Sequence, residues 1–316
     1  MTDPSAASEP LSVLFVGGMP RSGSTLFDLM VGQLPGHCDV GELFYMWQAG
    51  PLRDQRCACG VAFSECPFWS EVGDRAFDGW ENVDAAEVLA LQSQVDSTAQ
   101  MFLARLLPRR SARAAGVRRY LDLTVAVYRA VADVTGARVV VDSTKRPSTA
   151  YLLAGEPRVD LAVAHVVRDP RGVLNSWSRE VPLPEDSGAR SHLKRRAMRQ
   201  VVRRWVTVNT MIGRLSGCGV PILLVRYEDL VDDPVPVMES VLRLTGAEPV
   251  AGDLDFIGPE GVHTGVSHAA SGGRVRFRTG PMPLKLDEAW RRELPRWKQV
   301  VTSTVCKPLM GRYGYR

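Results

Sequence analysis

Residues 11–33 read LSVLFVGGMPRSGSTLFDLMVGQ, and this stretch decides the fold that the sequence predicts. Its opening run, 11–16, is apolar and β-branched, which is typical of a strand buried on both faces of a sheet. A glycine-rich turn follows, and the apolar residues after it recur at helical spacing. Because strand, turn and helix follow one another directly, unpaired N–H groups and the positive end of the helix dipole meet at the turn. The stretch therefore predicts an α/β fold with an anion-binding loop after its first strand.

The residues of this turn favour an oxyanion. Gly23 lets the backbone approach an anion without a Cβ in the way. Ser22, Ser24 and Thr25 add hydroxyl donors, and Arg21 adds a fixed charge. The order differs from a Walker A loop, in which lysine and then Ser or Thr follow the last glycine directly. An ordinary tight turn would also contain the glycines, so a second anion motif is needed to decide.

Length and composition indicate a globular protein without a membrane span. The 316 residues, 45% of them hydrophobic and 23% charged, are enough for one large domain or two small ones. The polar, acidic segment 1–10 is unlike a signal peptide, and we expect a disordered leader there and a single domain over 11–316. We therefore expect a cytoplasmic protein. The net charge of +4 suits a nucleotide with several phosphates and is too small to indicate nucleic-acid binding.

Polar residues follow further buried strands. The strands are predicted at 138–141, 161–167 and 221–225. Functional groups of parallel sheets gather at the carboxyl ends of strands, where Lys145 and Arg168 stand. Ser176 follows Arg168 by two helical turns, so both could hold the same anion. His165 lies inside its strand and is interpreted as a core histidine.

Apolar periodicity predicts five further helices, and one of them is strongly basic. The predicted helices are 83–107, 121–134, 191–215, 236–244 and 287–310. The segment 51–80 is predicted to be irregular. The helix at 191–215 carries seven cations, which we interpret as a solvated face: Lys194, Arg195, Arg196, Arg199, Arg203, Arg204 and Arg214.

Three closely spaced thiols, Cys57, Cys59 and Cys66, admit more than one interpretation. A structural zinc site needs four ligands, and Cys38 or His37 could supply the fourth only if the fold brings them near. We favour reduced buried thiols or a local disulfide, and we expect no metal in the chemistry.

Three motifs together resemble those of one enzyme family. They are PRSGSTL at 20–26, VVRDPRGVLNSW at 166–177 and VRYEDL at 225–230. In this order they resemble the sulfotransferases that use 3′-phosphoadenosine-5′-phosphosulfate (PAPS), in particular the branch with bacterial natural-product enzymes and Golgi carbohydrate and tyrosylprotein sulfotransferases. The resemblance implies a P-loop NTPase-like three-layer sandwich with a central, mainly parallel sheet. It also implies transfer of a sulfuryl group to a hydroxyl, or an amine, of a small molecule. Because the segment 43–117 interrupts the alternation of strands and helices, we expect it to form a helical lid over the acceptor pocket.

The resemblance assigns donor-binding roles. The loop from Arg21 to Thr25 would bind the 5′-phosphosulfate, and Arg168 with Ser176 would bind the 3′-phosphate. Tyr227 would lie near the adenine. Arg276 and Phe277 match a late family loop, although the Asn-Pro of that loop is missing here.

Catalytic roles follow from the resemblance and from the chemistry of the transfer. Glu42 lies in a Gly-Glu segment before Phe44, Tyr45 and Trp47, and we expect it to serve as the general base in an apolar pocket. Lys145 and Arg21 would stabilise the charge that grows on the bridging oxygen. His263 or His268 would be the next candidates for the base. From the aromatic residues here and at 68–69 we expect an apolar or aromatic small-molecule acceptor, such as a natural product.

Two other functions are compatible with parts of the sequence. A P-loop kinase or nucleotide hydrolase would need a lysine after the glycine and an aspartate on Mg²⁺. A non-catalytic nucleotide- or nucleic-acid-binding protein would use the basic helix 191–215. We favour the sulfotransferase because its motif residues follow strands. Neither the acceptor nor the oligomeric state is predicted.

Overall fold

The computed structural model of the protein describes residues 9–97, 112–179, 181–182, 192–193 and 195–316. Most of the predicted leader, 1–10, and of the basic segment at 108–113 lies outside these residues. So does the second half of the helix predicted at 83–107. Among the described residues, no helix combines the length and the apolar character that a membrane span requires.

A five-stranded parallel sheet forms the centre of the molecule. The strands, in chain order, are β1 (Leu11–Gly18), β2 (His37–Asp39), β3 (Val139–Lys145), β4 (Val159–Val167), β5 (Val181–Pro182), β6 (His192–Leu193), β7 (Ile222–Arg226), β8 (Ile257–Gly258), β9 (Gly261–Thr264) and β10 (Gly280–Met282). The order in the central sheet is β2-β3-β1-β4-β7, and all neighbours in it are parallel. The predicted parallel α/β sheet is therefore confirmed.

Helices cover both faces of this sheet. The α-helices are α1 (Ser24–Val31), α2 (Met46–Ala49), α3 (Pro67–Phe77), α4 (Ala85–Val95), α5 (Ala112–Thr135), α6 (Pro147–Leu153), α7 (Pro170–Ser178), α8 (Met198–Gly213), α9 (Tyr227–Asp232), α10 (Pro234–Leu244), α11 (Trp290–Glu293) and α12 (Arg296–Arg312). Val13 and Phe15 of β1 pack with α5, α6 and α8, whereas Leu14 and Val16 pack with α1 and α10. Because alternate residues of a strand point to opposite faces, β1 is buried on both sides, as its apolar sequence predicts. The three-layer sandwich is confirmed.

The segment 43–97 packs into the same core as the sheet. Trp47, Trp69 and Val72 join Phe15 in one apolar cluster. The prediction that 51–80 is irregular is wrong, because α3 occupies part of this range. Pro67 stands at the first helical position, where its missing N–H costs nothing, and Phe68, Trp69 and Val72 form the buried face.

Four predicted helices differ from those observed. The helix predicted at 121–134 begins at Ala112, and the one predicted at 83–107 ends at Val95. The helix predicted from 191 begins at Met198, and His192–Leu193 instead pair with Val181–Pro182. The run Lys194-Arg195-Arg196 explains the late start, because cations oppose the dipole at a helix N-terminus. The helix predicted over 287–310 is interrupted at Leu294, which is extended because Pro295 follows it.

Candidate active site

The sheet brings the motif residues to one edge. In the parallel register Gly17 of β1 lies beside Lys145 of β3, and Val167 of β4 lies beside Arg226 of β7. The loops after these strands therefore open at the same carboxyl edge, where ligands of open α/β sheets bind. The sequence predicts this gathering correctly.

The loop after β1 has the properties of an anion cradle. Helix α1 begins at Ser24, and Gly23 before it has φ +86°, a conformation that favours glycine. A Cβ at Gly23 would also overlap the ring of Tyr227. The hydroxyl of Ser22 is fully buried and has no hydrogen-bond partner among the described residues. A buried hydroxyl without a partner is costly, so an anion oxygen at this loop would satisfy it.

Arg21 joins the loop to the second anion motif. Its Nε donates a 2.9 Å hydrogen bond to Ser176 Oγ, and Arg168 Nη1 donates to the carbonyl of Arg21 at 3.4 Å. The guanidinium of Arg168 stacks on the ring of Tyr227, 4.4 Å from its centroid. Burial lowers the pKa of Arg21, and the charge of Arg168 lowers it further. The four predicted residues thus form one strongly electropositive cluster.

Asp287 holds Arg168 in this cluster, and sequence reasoning missed it. Arg168 Nη2 donates to the backbone oxygen of Asp287 at 2.8 Å and to its Oδ2 at 3.0 Å. Partial burial alone would raise the pKa of Asp287, but the hydrogen bond from Arg168 brings the pKa below its usual value. Because Asp287 lies more than one hundred residues from Arg168, only the tertiary fold reveals the pair.

Glu42 and Lys145, both predicted to be catalytic, form an ion pair. Lys145 Nζ lies 2.8 Å from Glu42 Oε1, and the two side chains are 7% and 20% exposed. The expected apolar pocket around Glu42 is therefore wrong, because a cation faces the carboxylate. Trp47 is buried in the core, and Phe44 lies under the guanidinium of Arg146 at 4.0 Å.

Both of the predicted catalytic cations have a strained backbone. Arg21 and Lys145 have φ of +79° and +67°, which costs a non-glycine residue about 1–2 kcal/mol. Such strain persists where the surrounding structure imposes it, and it concentrates at functional sites. Lys145 ends β3 and Arg21 lies in the loop after β1, both at the candidate site, whereas Asp54 and Asp78, the other non-glycine residues with positive φ among those described, lie outside it.

Buried polar groups fix the segment that carries Glu42. Asp142 Oδ1 accepts hydrogen bonds from the N–H groups of Thr144 at 2.8 Å and Leu43 at 3.3 Å. Tyr128 Oη donates to the other carboxylate oxygen at 2.6 Å. Burial raises the pKa of Asp142. The N–H of Glu42 itself donates to the carbonyl of Ser271 at 3.2 Å, so the base candidate is held from both sides.

Comparison with known proteins decides the family. The profile of the sulfotransferase family matches residues 13–250, which include all three motifs. The chain belongs to the sulfotransferase family. The interpretation as a P-loop kinase is thereby disfavoured.

Several relatives of this sulfotransferase are carbohydrate sulfotransferases. Carbohydrate sulfotransferase 5 from Mus musculus is 28% identical over 184 residues, covering 52% of this chain and 44% of that protein. Carbohydrate sulfotransferase 3 from Homo sapiens is 26% identical over 175 residues, covering 52% and 35%. The chain thus spans less than half the length of these curated relatives. The sulfotransferase domain from the curacin biosynthetic pathway shares the fold, with a TM-score of 0.50, 17% identity, and coverage of 98% of this chain and 99% of that one.

The late basic loop of this sulfotransferase lies beside the anion cradle. Arg276 is buried and donates to the carbonyls of Gly272 at 2.6 Å and Arg56 at 3.1 Å, while its guanidinium stacks on Phe277 at 4.3 Å. A Cβ at Gly272 would lie 3.8 Å from Glu42 Oε1. Arg276 therefore shapes the loop next to Glu42, and its contact with a nucleotide, like that of Phe277, stays a prediction.

A basic cavity opens beside the Glu42–Lys145 pair of the sulfotransferase. Its volume is about 390 Å³, and its lining includes Tyr45, Arg146, Arg196, Arg203 and Arg204. Arg204 is half-buried, so the interpretation of the basic segment as a solvated face is wrong for this residue, whereas Arg196 and Arg203 are exposed, as that interpretation predicts, although they also line the cavity. Burial lowers the pKa of Arg204, and the charge of Arg196 lowers it further.

The predicted lid contributes little to this cavity. Of the described residues in 43–117, Tyr45 lines it, and the aromatic residues at 47, 68 and 69 are buried elsewhere. A lid role for this segment stays a prediction.

The histidines of the sulfotransferase lie away from the Glu42–Lys145 pair. His165 Nε2 contacts Asn209 Oδ1 at 3.0 Å, and burial lowers its pKa to about 4, so the predicted core role is confirmed. His263 is exposed on β9. His268 Nδ1 lies 3.4 Å from Cys66 Sγ, and a role of His263 or His268 as the base stays a prediction. His37 contacts Pro35 and Thr245, and therefore does not complete the thiol cluster as the sequence allowed.

Proposed function

We propose that this sulfotransferase moves the sulfuryl group of PAPS to a hydroxyl of a small-molecule acceptor and releases 3′-phosphoadenosine 5′-phosphate. The observation that carries the proposal is the hydrogen bond from Arg21 to Ser176, which unites two anion motifs beside the Glu42–Lys145 pair. A donor that carries phosphate on both the 3′ and the 5′ oxygen of its ribose needs two such motifs. A nucleoside 5′-triphosphate needs only the first.

The residues present fit this donor. The N–H groups and hydroxyls at 22–25 would bind the 5′-phosphosulfate, where the buried Ser22 hydroxyl lacks a partner. Arg168 and Ser176 would bind the 3′-phosphate. Tyr227, already stacked against Arg168, is placed for the adenine side of the nucleotide.

The reaction requires a base and stabilisation of the leaving group. Glu42 accepts the proton of the acceptor hydroxyl, whose oxygen forms the new bond to sulfur. The bond from sulfur to the 5′-phosphate oxygen breaks, and its electron pair stays on that oxygen. Lys145 and Arg21 stabilise this negative charge, an electrostatic contribution that is usually worth more than any other single one. Lys145 also orients the Glu42 carboxylate through their 2.8 Å contact.

The cavity favours an acceptor that is itself an anion. Among the described residues, no carboxylate lies within ion-pair distance of Arg196, Arg203 or Arg204, and Arg204 is half-buried. Guanidinium groups that repel one another in a partly closed cavity are stabilised by a carboxylate, phosphate or sulfate. We therefore expect an acceptor that carries a hydroxyl near Glu42 and an anionic group near the arginines. Tyr45 supplies the one aromatic wall contact found in the described lining.

Thermal denaturation tests the donor assignment. The melting temperature should rise with 3′-phosphoadenosine 5′-phosphate and hardly change with Mg²⁺–ATP at the same concentration, because only the first ligand offers a 3′-phosphate. Incubation with PAPS and paired anionic and neutral alcohols, with mass detection of an added sulfo group, then tests the transfer. An equal response to both nucleotides, without sulfation of any acceptor, would overturn the proposal.

A further inference from the structure

Four potential metal ligands converge outside the proposed active site. The sulfur atoms of Cys57, Cys59 and Cys66 and a ring nitrogen of His268 all lie within 4.8 Å of one another. Cys59 Sγ is 3.6 Å from Cys66 Sγ, and His268 Nδ1 is 3.4 Å from Cys66 Sγ and 3.7 Å from Cys57 Sγ. All of these cysteines are free.

These separations match the edges of a tetrahedral metal site. Zinc binds sulfur at about 2.3 Å and imidazole nitrogen at about 2.0–2.1 Å, so the ligand atoms around it lie about 3.5–3.8 Å apart. A disulfide would need the sulfur atoms at about 2.05 Å. We propose that Cys57, Cys59, Cys66 and His268 bind one zinc ion in a closed structural site.

The local chain holds the donors in position. The turn at 57–60 is closed by hydrogen bonds from Cys57 N to Val61 O at 2.8 Å and from Gly60 N to Cys57 O at 2.9 Å. Gly60 has φ +101°, which glycine adopts without strain. Cys66 directly precedes α3. The turn and the helix thus present three sulfur atoms from one short segment.

His268 is oriented by two aromatic neighbours in α3. Its ring stacks on Phe68 with the centroids 4.7 Å apart. The indole N–H of Trp69 donates to its backbone carbonyl at 2.8 Å. The imidazole is therefore directed at the thiols by packing. Ligand geometry of this kind is typical of a site that is largely preformed.

The donor set selects zinc. Each thiol would release its proton to solvent on binding, so that three thiolates and a neutral imidazole surround the ion. Soft sulfur donors favour zinc over magnesium or calcium, and four protein ligands leave no open position for substrate. Cys57 and Cys66 are fully buried, whereas Cys59 reaches a surface depression of about 380 Å³ through which an ion could enter.

The zinc would fasten the segment 43–97 to the loop that supports Glu42. Ala58 N donates to Ala269 O at 3.2 Å, and Ser271 in the same loop accepts the N–H of Glu42. Arg276, a few residues further on, donates to Arg56. Loss of the metal should therefore loosen the base and the late basic loop together. Its role is to position these residues, without contact to the reacting atoms.

Elemental analysis of the purified full chain tests the site. We expect about one zinc ion per chain, and loss of most of it in Cys59→Ser and His268→Ala. Cys218→Ser serves as the matched control, because Cys218 is exposed and lies outside the cluster; it should keep the metal. Removal of zinc with a chelator should lower the melting temperature of the wild type by about 5 °C or more.

X-ray absorption at the zinc edge of the wild-type protein tests the site without any variant, so the test does not depend on whether the variants fold. Three sulfur neighbours at about 2.3 Å and one nitrogen at about 2.0 Å are expected. Cobalt substitution should add the strong absorption of thiolate-to-metal charge transfer. The proposal would be overturned by a folded, active wild type that contains no zinc and has either thiols accessible to titration or a disulfide between Cys59 and Cys66. A zinc ion surrounded by oxygen atoms would also overturn it.

Discussion

The donor side and the acceptor side of this site are built in different ways. The donor side consists of loops that leave neighbouring parallel strands, so the register of β1 and β4 brings Arg21 and Ser176 together. The acceptor side consists of arginine side chains around α8, which meet residues after β3 across a cavity. The donor side depends on backbone geometry, whereas the acceptor side depends on side chains that can change without altering the fold. We therefore expect the donor side to be sensitive to any substitution and the acceptor side to set specificity.

The largest expected effect belongs to the group shared by both sides. Glu42→Gln preserves shape but removes the base, and we expect kcat to fall by about 10²–10⁴-fold while the affinity for 3′-phosphoadenosine 5′-phosphate changes little. Steady-state kinetics and calorimetry would measure these two quantities. Glu239→Gln, on the exposed face of α10, is the control. Unchanged kcat in Glu42→Gln would remove it as the base.

The donor side is tested next. Arg168→Ala should weaken the binding of 3′-phosphoadenosine 5′-phosphate by about 10- to 100-fold, because a hydrogen bond to a charged group is lost. Ser176→Ala should weaken it by less. The affinity for adenosine 5′-phosphosulfate, which has no 3′-phosphate, should change much less. Calorimetric titration of both nucleotides makes the comparison. Equal losses for the two nucleotides would show that these residues do not bind the 3′-phosphate.

The acceptor side should respond to charge alone. Arg203→Gln and Arg204→Gln should raise KM for an anionic acceptor by about 10-fold, which corresponds to about 1.4 kcal/mol, and leave KM for its neutral amide unchanged. Arg199→Gln, in the same basic segment but outside the cavity lining, is the matched control. If the neutral acceptor is favoured by the wild type, the anionic-acceptor proposal fails.

The smallest effect concerns the strand between the two sides. Burial lowers the pKa of His165 to about 4 in the folded protein, against about 6.5 when unfolded, so the unfolded state binds more protons between these values. The contribution of His165 to the free energy of unfolding is therefore fully present above about pH 6.5. It decreases as the pH falls, by about 1 kcal/mol between pH 7 and pH 5.5.

Urea unfolding of the wild type and of His165→Gln across this range measures the difference. The glutamine can keep a hydrogen bond to Asn209 but does not titrate. The variant should lose less stability on acidification. Parallel pH profiles for the two proteins would show that His165 is not the group responsible.

The sequence is sufficient for four of the five strands of the central sheet and for the loops of the proposed donor side, but it does not predict β2, the short edge strand. Short apolar runs followed by glycine, arginine or serine define strands and the loops after them. The parallel register then places these loops at one edge of the sheet. This rule places Lys145, which follows a predicted strand, whereas Glu42 follows β2 and is identified through the resemblance of its Gly-Glu segment. What the rule does not supply is their direct ion pair, because it depends on the unusual backbone of Lys145.

Contacts between distant segments could not be predicted in this way. His268 joins thiols about two hundred residues before it, and Asp287 reaches Arg168, with no periodic signal in the sequence for either pair. The charge pattern also predicts a solvated position for Arg204, which is half-buried, because such a pattern does not tell which neighbour a helix face meets.

The contacts of Ser271 with Glu42 and of Asp287 with Arg168 have a practical consequence for shortening the protein. The family match ends at residue 250, which makes that point attractive for a minimal catalytic fragment. Such a fragment would keep the three motifs within the match, yet it would lack the loop with Arg276 and Phe277, and also Ser271 and Asp287, which hold Glu42 and Arg168 in place. We therefore expect a shortened protein to need the residues beyond the match, and an alignment of the matched region alone omits the contacts that position Glu42 and Arg168.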